Sequence, residues 1–496
     1  MLNQNQTPLL DAIKACTARH HAAFYTPGHK GGKGIAQPLV DLLGKSVFAA
    51  DLTELAGLDN LSAPQGVIQE AQQLAAAAFG ASQTWFLVNG STCGIEAAIL
   101  ATCGPGDKII LPRNVHSSAI ASLILSGAIP IFINPEYDSV LDIAHSITPD
   151  ALQTALQQHP DAKAVLTVYP TYYGVCGDLE AIAQITHQYN IPLLVDEAHG
   201  AHFAFHPELP TSALAAGADL TVQSIHKVLG AMTQASMLHV QGNRIDGDKV
   251  SKALQLLQST SPSYVLLASL DTARQQMALF GKQLMSHTLQ LADDARERIS
   301  QISGLSVLQF PGEEVSPGFT ALDKTRLTVT ISGLGLTGFA AEEILDEKLG
   351  VTAEFSTLQH LTFIISLGNT AADIEQLVQG FTTLAEINPA TATSVKQKIS
   401  SNLAYFPAIS PREAFFAANE TLPIEQTCDR ICAEIVCPYP PGIPVLMPGE
   451  VITKTALEYL QHIQSLGGFI TGCGDISLCT LKVLTKDSRK QVTGKR

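Results

Sequence analysis

IPLLVDEAHG, residues 191–200, and ADLTVQSIHK, residues 218–227, decide the fold. Each is a near-continuous apolar run that stops abruptly at polar, chemistry-bearing residues. An uninterrupted run of this length fits a strand covered on both faces, not one with a solvated side. On either side of these runs, helical and strand patterns alternate. The helix QEAQQLAAAAFG stops at Gly80, and strand TWFLVNG leads into helix STCGIEAAILATCG. Strand DKIILP, helix SSAIASLILSGA and strand IPIFIN follow. Thr148-Pro149 has the N-cap and N1 pattern of a helix start, strand AKAVLTVYP comes next, and Asp178 can cap the helix DLEAIAQITHQYN. Such alternation predicts an α/β fold with a mostly parallel sheet, and ligands in that architecture bind at the carboxyl ends of the strands.

The rest of the chain predicts further units. Residues 1–45 read as an N-terminal arm carrying YTPGHKGGKG, and 46–285 as the large ligand-binding domain. A long helix from about Tyr264 leaves that domain. TRLTVTISGLG, AAEEILDEKLG and HLTFIISLG predict a small α+β domain over 286–387. Residues 388–402 are polar and read as a linker. Residues 403–496 form a C-terminal α+β domain containing the proline-stiffened PYPPGIPVLMPGE, with a polar, frayed end.

At 496 residues, with 46% hydrophobic and 15% charged side chains, the chain has ample material for several buried cores. A formal net charge of −15 gives no basic field for nucleic acid or anionic lipid. The start, MLNQNQTPLLDAIKAC, has no basic n-region, and no apolar run is long enough to span a bilayer. Nine scattered cysteines fit a reducing compartment, so a cytoplasmic location is expected. Cys428, Cys432 and Cys437 lack paired CxxC spacing. His199, His202 and His206 lack the HExxH arrangement, so no metal is expected.

Four features fall at strand ends. Asn89-Gly90-Ser91-Thr92 can cradle a phosphate at a helix N-terminus, or be an ordinary helix cap. Asp196 ends an apolar strand and needs a partner; a pyridinium nitrogen is one, a capping or salt-bridge role another. Lys227 just past a buried strand can be a desolvated nucleophile or a snorkelling surface lysine. Ser224 and His226, alternating with Ile225, are expected on one strand face, within reach of a phosphate. His116, in PRNVHSS, can stack on a flat cofactor or cap a helix. Together the four describe one site: phosphate cradle, acid for a ring nitrogen, amine and stacking group.

YTPGHKGG, GPGDKIILPRNVHSS, VDEAHGAH, SIHK and PYPPGIP closely resemble the ornithine/lysine/arginine decarboxylase family of fold-type-I pyridoxal-phosphate enzymes, in its compact bacterial form. The resemblance covers nearly the whole chain. It implies a seven-stranded-type sheet of the aspartate-aminotransferase-like class and pyridoxal 5'-phosphate as cofactor. Lys227 would be its Schiff-base lysine, Asp196 the ring-nitrogen partner and His116 the stacked histidine. Ala198 would pack on the other ring face, with Ser91, Thr92, Ser224 and His226 near the phosphate or active site and His199 close behind. His226 or Lys227 would return a proton to Cα after loss of CO2. The resemblance also implies a homodimer or larger homo-oligomer, with a hydroxyl such as Thr260 or Ser261 of STSPSY supplied by the neighbouring subunit.

The expected reaction is decarboxylation of a basic L-amino acid, arginine favoured and lysine or ornithine next, feeding polyamine metabolism. Another fold-type-I reaction, such as transamination or β-elimination, or a non-catalytic regulator, is the alternative. Transamination would need an arginine clamp for the substrate carboxylate, and Arg274 and Arg326 are candidates. Asp51, Glu54, Asp59, Glu434 and Glu450 are the acidic residues expected near the substrate's distal cation, the last two flanking the proline-rich turn.

Overall fold

The computed structural model describes residues 2–19, 21–312, 317–388, 407–439 and 442–487. Apart from Asn388, the expected linker lies outside these residues. So do the first residues of the C-terminal domain, Pro440, Pro441 and the chain beyond Asp487.

The alternation read from the sequence is present. In chain order it comprises α1 (Val67–Phe79), β1 (Gln83–Leu87), α2 (Gly90–Thr102), β2 (Lys108–Pro112), α3 (Ser117–Ser126), β3 (Ile129–Ile133), α4 (Pro149–Gln158) and β4 (Ala164–Val168). It continues with α5 (Leu179–Gln188), β5 (Leu193–Asp196), β6 (Leu220–Gln223), β7 (Ser236–Val240), α6 (Gly247–Leu257) and α7 (Tyr264–Ser300). Local chemistry sets the ends of these helices. Gly80 takes the left-handed conformation (φ 76°) that a residue without Cβ adopts at low cost, and it stops α1. The Thr148 hydroxyl accepts from Ala151 N to start α4, and the Asp178 carboxylate accepts from Ala181 N to start α5.

Two compact units emerge, each discontinuous in sequence: Met1–Thr102 with Pro192–Ser286, and Cys103–Ile191 with His287–Arg496. In the first, strands lie in the order β1-β7-β6-β5, with β1–β7 and β7–β6 antiparallel and β6–β5 parallel. In the second, β4-β2-β3 pair in parallel throughout. Every residue of β4, β5, β6 and β7 is buried, as strands covered on both faces require. Helix α2 packs so closely on β6 that a Cβ at Gly94 would stand 2.6 Å from Cγ1 of Val222. A larger residue there would push the helix off the sheet.

The second unit contains two further groups of strands, each with a core of its own. Strands β8 (Ser306–Val307), β9 (Arg326–Thr330), β10 (Phe355–Ser356) and β11 (His360–Ile364) pair in the order β8-β9-β11-β10. With helices α8 (Gly338–Leu349) and α9 (Ala371–Ile387) they bury a cluster including Leu327, Val329, Leu345, Leu361 and Phe381. Past residue 407, β12 (Asn419–Pro423) pairs with β15 (Thr480–Leu484), and β13 (Cys437–Tyr439) with β14 (Phe469–Thr471). Helix α10 (Lys454–Ser465) covers them through Leu457, Leu460 and Ile463.

Candidate active site

In the first unit the carboxyl ends of β5 and β6 bring together most of the expected residues. Asp196 is the last residue of β5 and is 9% exposed. Its carboxylate accepts from Ala198 N at 3.2 Å. Burial holds its pKa above the usual carboxylate range, and the nearby Lys227 charge and the Ala198 bond pull it back only partly. Lys227 Nζ lies 3.0 Å from His199 Nε2.

Strand β6 stops at Gln223, earlier than the sequence pattern implies, and Ile225–Val228 form a single helical turn. Lys227 N donates to Ser224 O and His226 N to Ala235 O. The expected strand alternation of Ser224 and His226 therefore fails, because the backbone has already turned. Ser224 still reaches the cradle, donating from Oγ to Ser91 Oγ at 2.7 Å. His226 is half-buried; burial and then the Lys227 charge lower its pKa, which favours a neutral imidazole.

The cradle is the start of α2. Gly90 has φ 77°, a backbone shape that suits glycine, and the N–H groups of the first helical turn lack intrahelical acceptors. Ser91 and Thr92 stand in that turn. Cys93 is buried beneath it and donates to Gly90 O at 3.2 Å. Burial pushes this thiol up to about 12, so it is a neutral packing group. The loop after α6 is tied to the same region. Gln258 Oε1 accepts from Val88 N at 2.8 Å and Asn89 Oδ1 from Ser259 N at 3.4 Å, leaving Thr260 exposed just beyond.

His116 belongs to the second unit. Its Nδ1 accepts from Ser118 N at 3.2 Å and meets Ser118 Oγ at 2.9 Å, so the ring caps α3. The other edge of the ring lies against Gly442. A Cβ there would stand 3.4 Å from His116 Cδ2 and Nε2, and Gly442 O accepts from Ser117 N. The proline-rich turn thus seats the histidine, a role the sequence alone did not reveal.

A buried polar chain behind Asp196 was also missed. Glu197, fully buried, accepts from Ala213 N, Thr221 Oγ1 and Gln223 Nε2. Gln223 Oε1 meets His239 Nε2 at 3.2 Å, and His239 Nδ1 meets Thr84 Oγ1 at 2.7 Å. The chain runs across β5, β6, β7 and β1 and fixes the strand ends laterally. Its signal was present as polar residues at buried strand positions.

Other candidates have different roles. His206 meets Ser286 Oγ and accepts from Glu208 N, while His202 lies against the Phe203 ring, so the three histidines of DEAHGAHFAFH diverge. Arg274 binds Gln4 O, Gln6 O and Asp271, fastening the N-terminal segment instead of clamping a substrate. Arg326 is buried in β9; burial lowers its pKa, and the charges of Asp323 and Glu354 oppose this only in part. The Asp59 carboxylate accepts from the N–H groups of Gln65, Gly66 and Ile68 at the start of α1, and Asp51 pairs with His29. Glu450 pairs with Arg113, and Glu434 accepts from Gly474 N and Lys482 N. Glu434 thus holds strands within the C-terminal domain, and Glu450 ties that domain to the loop before His116.

A buried carboxylate beside a lysine, at the strand ends of an α/β fold and with an N–H-rich helix start alongside, is a set of groups that could hold a phosphorylated pyridine cofactor. The chain belongs to the Orn/Lys/Arg decarboxylase family: the family's major-domain sequence model matches residues 7–316 and its C-terminal-domain model residues 392–472. The arginine decarboxylase of Bacillus subtilis is 40% identical over 99% of this chain and 100% of its own. That of Bacillus anthracis is 41% identical over 97% and 98%. The lysine decarboxylase of Francisella novicida superimposes with a TM-score of 0.82 over 97% of this chain and 81% of its own, at 22% identity, and so shares the fold. The chain is thus a decarboxylase of this family.

Proposed function

We propose that this enzyme decarboxylates L-arginine with pyridoxal 5'-phosphate as its cofactor. The observation that carries the cofactor reading is Asp196, a buried carboxylate ending β5 with Lys227 as the neighbouring cation. A buried carboxylate needs a cation or a proton, and a protonated ring nitrogen supplies that partner. The substrate reading rests on the relatives at 40–41% identity, which are named arginine decarboxylases. Lysine and ornithine are the next candidates.

In this reading Lys227 Nζ attaches the cofactor, and His199 Nε2 orients that amine. Asp196 keeps the ring nitrogen protonated. The first turn of α2, with Ser91, Thr92 and Ser224, takes the phosphate. The family resemblance assigns His116 to one ring face and Ala198 to the other. When bound, the cofactor supplies the electron sink that lets the substrate's α-carboxylate leave as CO2. Lys227 or His226 then delivers a proton to Cα. We assign 46–285 as the cofactor domain, 286–387 as the small domain and 403–496 as the C-terminal decarboxylase domain. Exposed apolar groups of the N-terminal arm, Phe24 at 94% and Leu42 at 77%, support a homodimer. Within it, Thr260 would serve the neighbouring subunit's site. The reducing cysteine usage supports a cytoplasmic location, and the amine product suits polyamine synthesis.

The test is an assay of purified enzyme with added cofactor against arginine, lysine and ornithine, recording CO2 and keto acid separately. Stoichiometric CO2, fastest from arginine, is expected. Keto-acid formation would reassign the reaction, and a preference for lysine or ornithine would reassign the substrate.

A further inference from the structure

The second unit contains a cavity of about 170 Å³ whose lining combines aromatic rings with one carboxylate. Asp142 is that carboxylate. The same cavity is lined by Tyr137, Tyr173, Tyr459, Phe339 and Phe469. Asp142 lies in the turn of a small hairpin in which Tyr137 pairs with Ala144 and Asp138 with Ile143. Its φ is 56°, the left-handed region that Asp and Asn tolerate better than most residues. The Tyr137 hydroxyl donates to the Asp142 carboxylate.

The carboxylate is held in place. Asp138 Oδ1 accepts from the N–H groups of Val140 and Leu141, closing the turn. The Leu141 carbonyl, immediately before Asp142, accepts from His360 Nε2 of β11, whose Nδ1 meets Thr330 Oγ1 at 3.0 Å. Tyr173 is fixed edge-on against Phe355 and His360. Burial, and then the negative charge of Asp142, raises the pKa of both Tyr173 and Tyr459, so the rings stay neutral and lie within the field of that charge. The other charged group of the lining is Arg113. Its guanidinium is bound by Pro444 O, Val445 O and both oxygens of Glu450, so its charge is matched inside the wall.

Aromatic faces carry negative potential, and a carboxylate among them selects a cation over a neutral molecule of the same shape. Rings on several sides also bury the methylenes of an alkyl chain. We propose that this cavity binds a small organic cation, an alkylammonium or alkylguanidinium, with its charged end at Asp142 and its chain against Tyr173, Tyr459 and Phe339. Two sources share this chemistry: the distal group of the enzyme's own amino-acid substrate, or a free amine acting at a separate site. The assignment stands whichever basic amino acid is decarboxylated.

The test uses the cofactor-loaded enzyme and two probes without an α-amino acid group, n-butylguanidinium and its neutral analogue n-butylurea, titrated by calorimetry at neutral pH. The cation should bind at least about tenfold more tightly than the urea, a ratio in the range of one charge-assisted contact. Asp142→Asn, which keeps the left-handed backbone accessible, should remove that preference while circular dichroism and melting temperature stay near those of the wild type. Equal binding of the two probes by the wild type needs no variant to interpret and would overturn the proposal. So would an undiminished preference in Asp142→Asn. Steady-state kinetics of the same variant separate the sources. A raised KM for the best amino-acid substrate marks the cavity as the substrate's distal pocket, and an unchanged KM with lost probe binding marks a separate amine site.

Discussion

Nζ of Lys227 lies 3.0 Å from Nε2 of His199. An ammonium has only hydrogen-bond donors, so His199 accepts through Nε2 whenever Lys227 is charged, which puts the imidazole proton on Nδ1. The contact fixes the position of the amine before any ligand arrives. Lys227→Ala removes that amine while leaving the strand ends intact. The variant should lose the visible absorption of bound cofactor, and turnover should fall by about 10³-fold or more. A spectrum and rate like those of the wild type would mean that another residue holds the cofactor.

Asp196→Asn keeps the shape of the β5 terminus and can still accept from Ala198 N, but it removes the charge. Cofactor content should stay substantial, and kcat should drop by about 10²- to 10³-fold, as for loss of a preorganised charge at a reacting group. Cofactor-normalised kcat is the measurement. A value within a factor of three of the wild type would rule out the ring-nitrogen role.

The strands and helix ends were legible because they follow from local chemistry. Gly80, Thr148 and Asp178 cap their helices as their residue types require, and the apolar runs ending at Asp196 and Gln223 are buried strands. The cluster of Asp196, Lys227, Ser224 and Ser91 was legible because strand ends of this fold converge. What escaped depends on contacts between residues far apart in sequence. Gly442 against His116, Glu450 on Arg113, and Asp142 with Tyr459 in one cavity wall are examples. No periodicity encodes these pairs. The turn after Gln223, which breaks the alternation expected of Ser224 and His226, is set by hydrogen bonds that only the folded loop makes.

Glu197 makes stability depend on pH. Burial raises its pKa from 4.5 to about 7, against the lowering effect of its bonds from Gln223, Ala213 and Thr221. Between those values the folded protein holds a proton that the unfolded chain has released, so this group's contribution to stability falls as pH rises from about 4.5 to 7. Glu197→Gln cannot ionise and escapes this loss. Its melting temperature relative to the wild type should therefore rise between pH 5 and 7.5, by an amount equivalent to about 2–3 kcal/mol. A difference in melting temperature that stays flat across that range would show that Glu197 does not titrate with the fold.

Glu434 and Glu450 flank the proline-rich turn, which made them candidates for recognising the substrate's cation. Their surroundings argue for a structural role. Glu450 is 3% exposed, and its oxygens take Arg113 Nη2 and Met447 N, joining the loop before His116 to the C-terminal domain. Burial raises its pKa, and the Arg113 charge only partly opposes this. Glu434 is 8% exposed and spans from Gly474 N to Lys482 N, with Lys482 Nζ 3.8 Å away. Removing one member of a buried ion pair strands the other charge, so Glu450→Gln should cost about 3 kcal/mol of stability. Glu434→Gln keeps one acceptor oxygen and should cost about 1 kcal/mol, the scale of a single hydrogen bond. Arg113→Met combined with Glu450→Met should recover much of the first loss, because replacing both charges leaves neither unpaired. Thermal denaturation of the three variants against the wild type measures this order directly. In parallel, Glu434→Gln should keep its KM for the preferred basic amino acid within about twofold, since the bonds it loses, from Gly474 N and Lys482 N, are structural and hold no substrate. A tenfold rise in KM with an unchanged melting temperature would return this carboxylate to the substrate entrance.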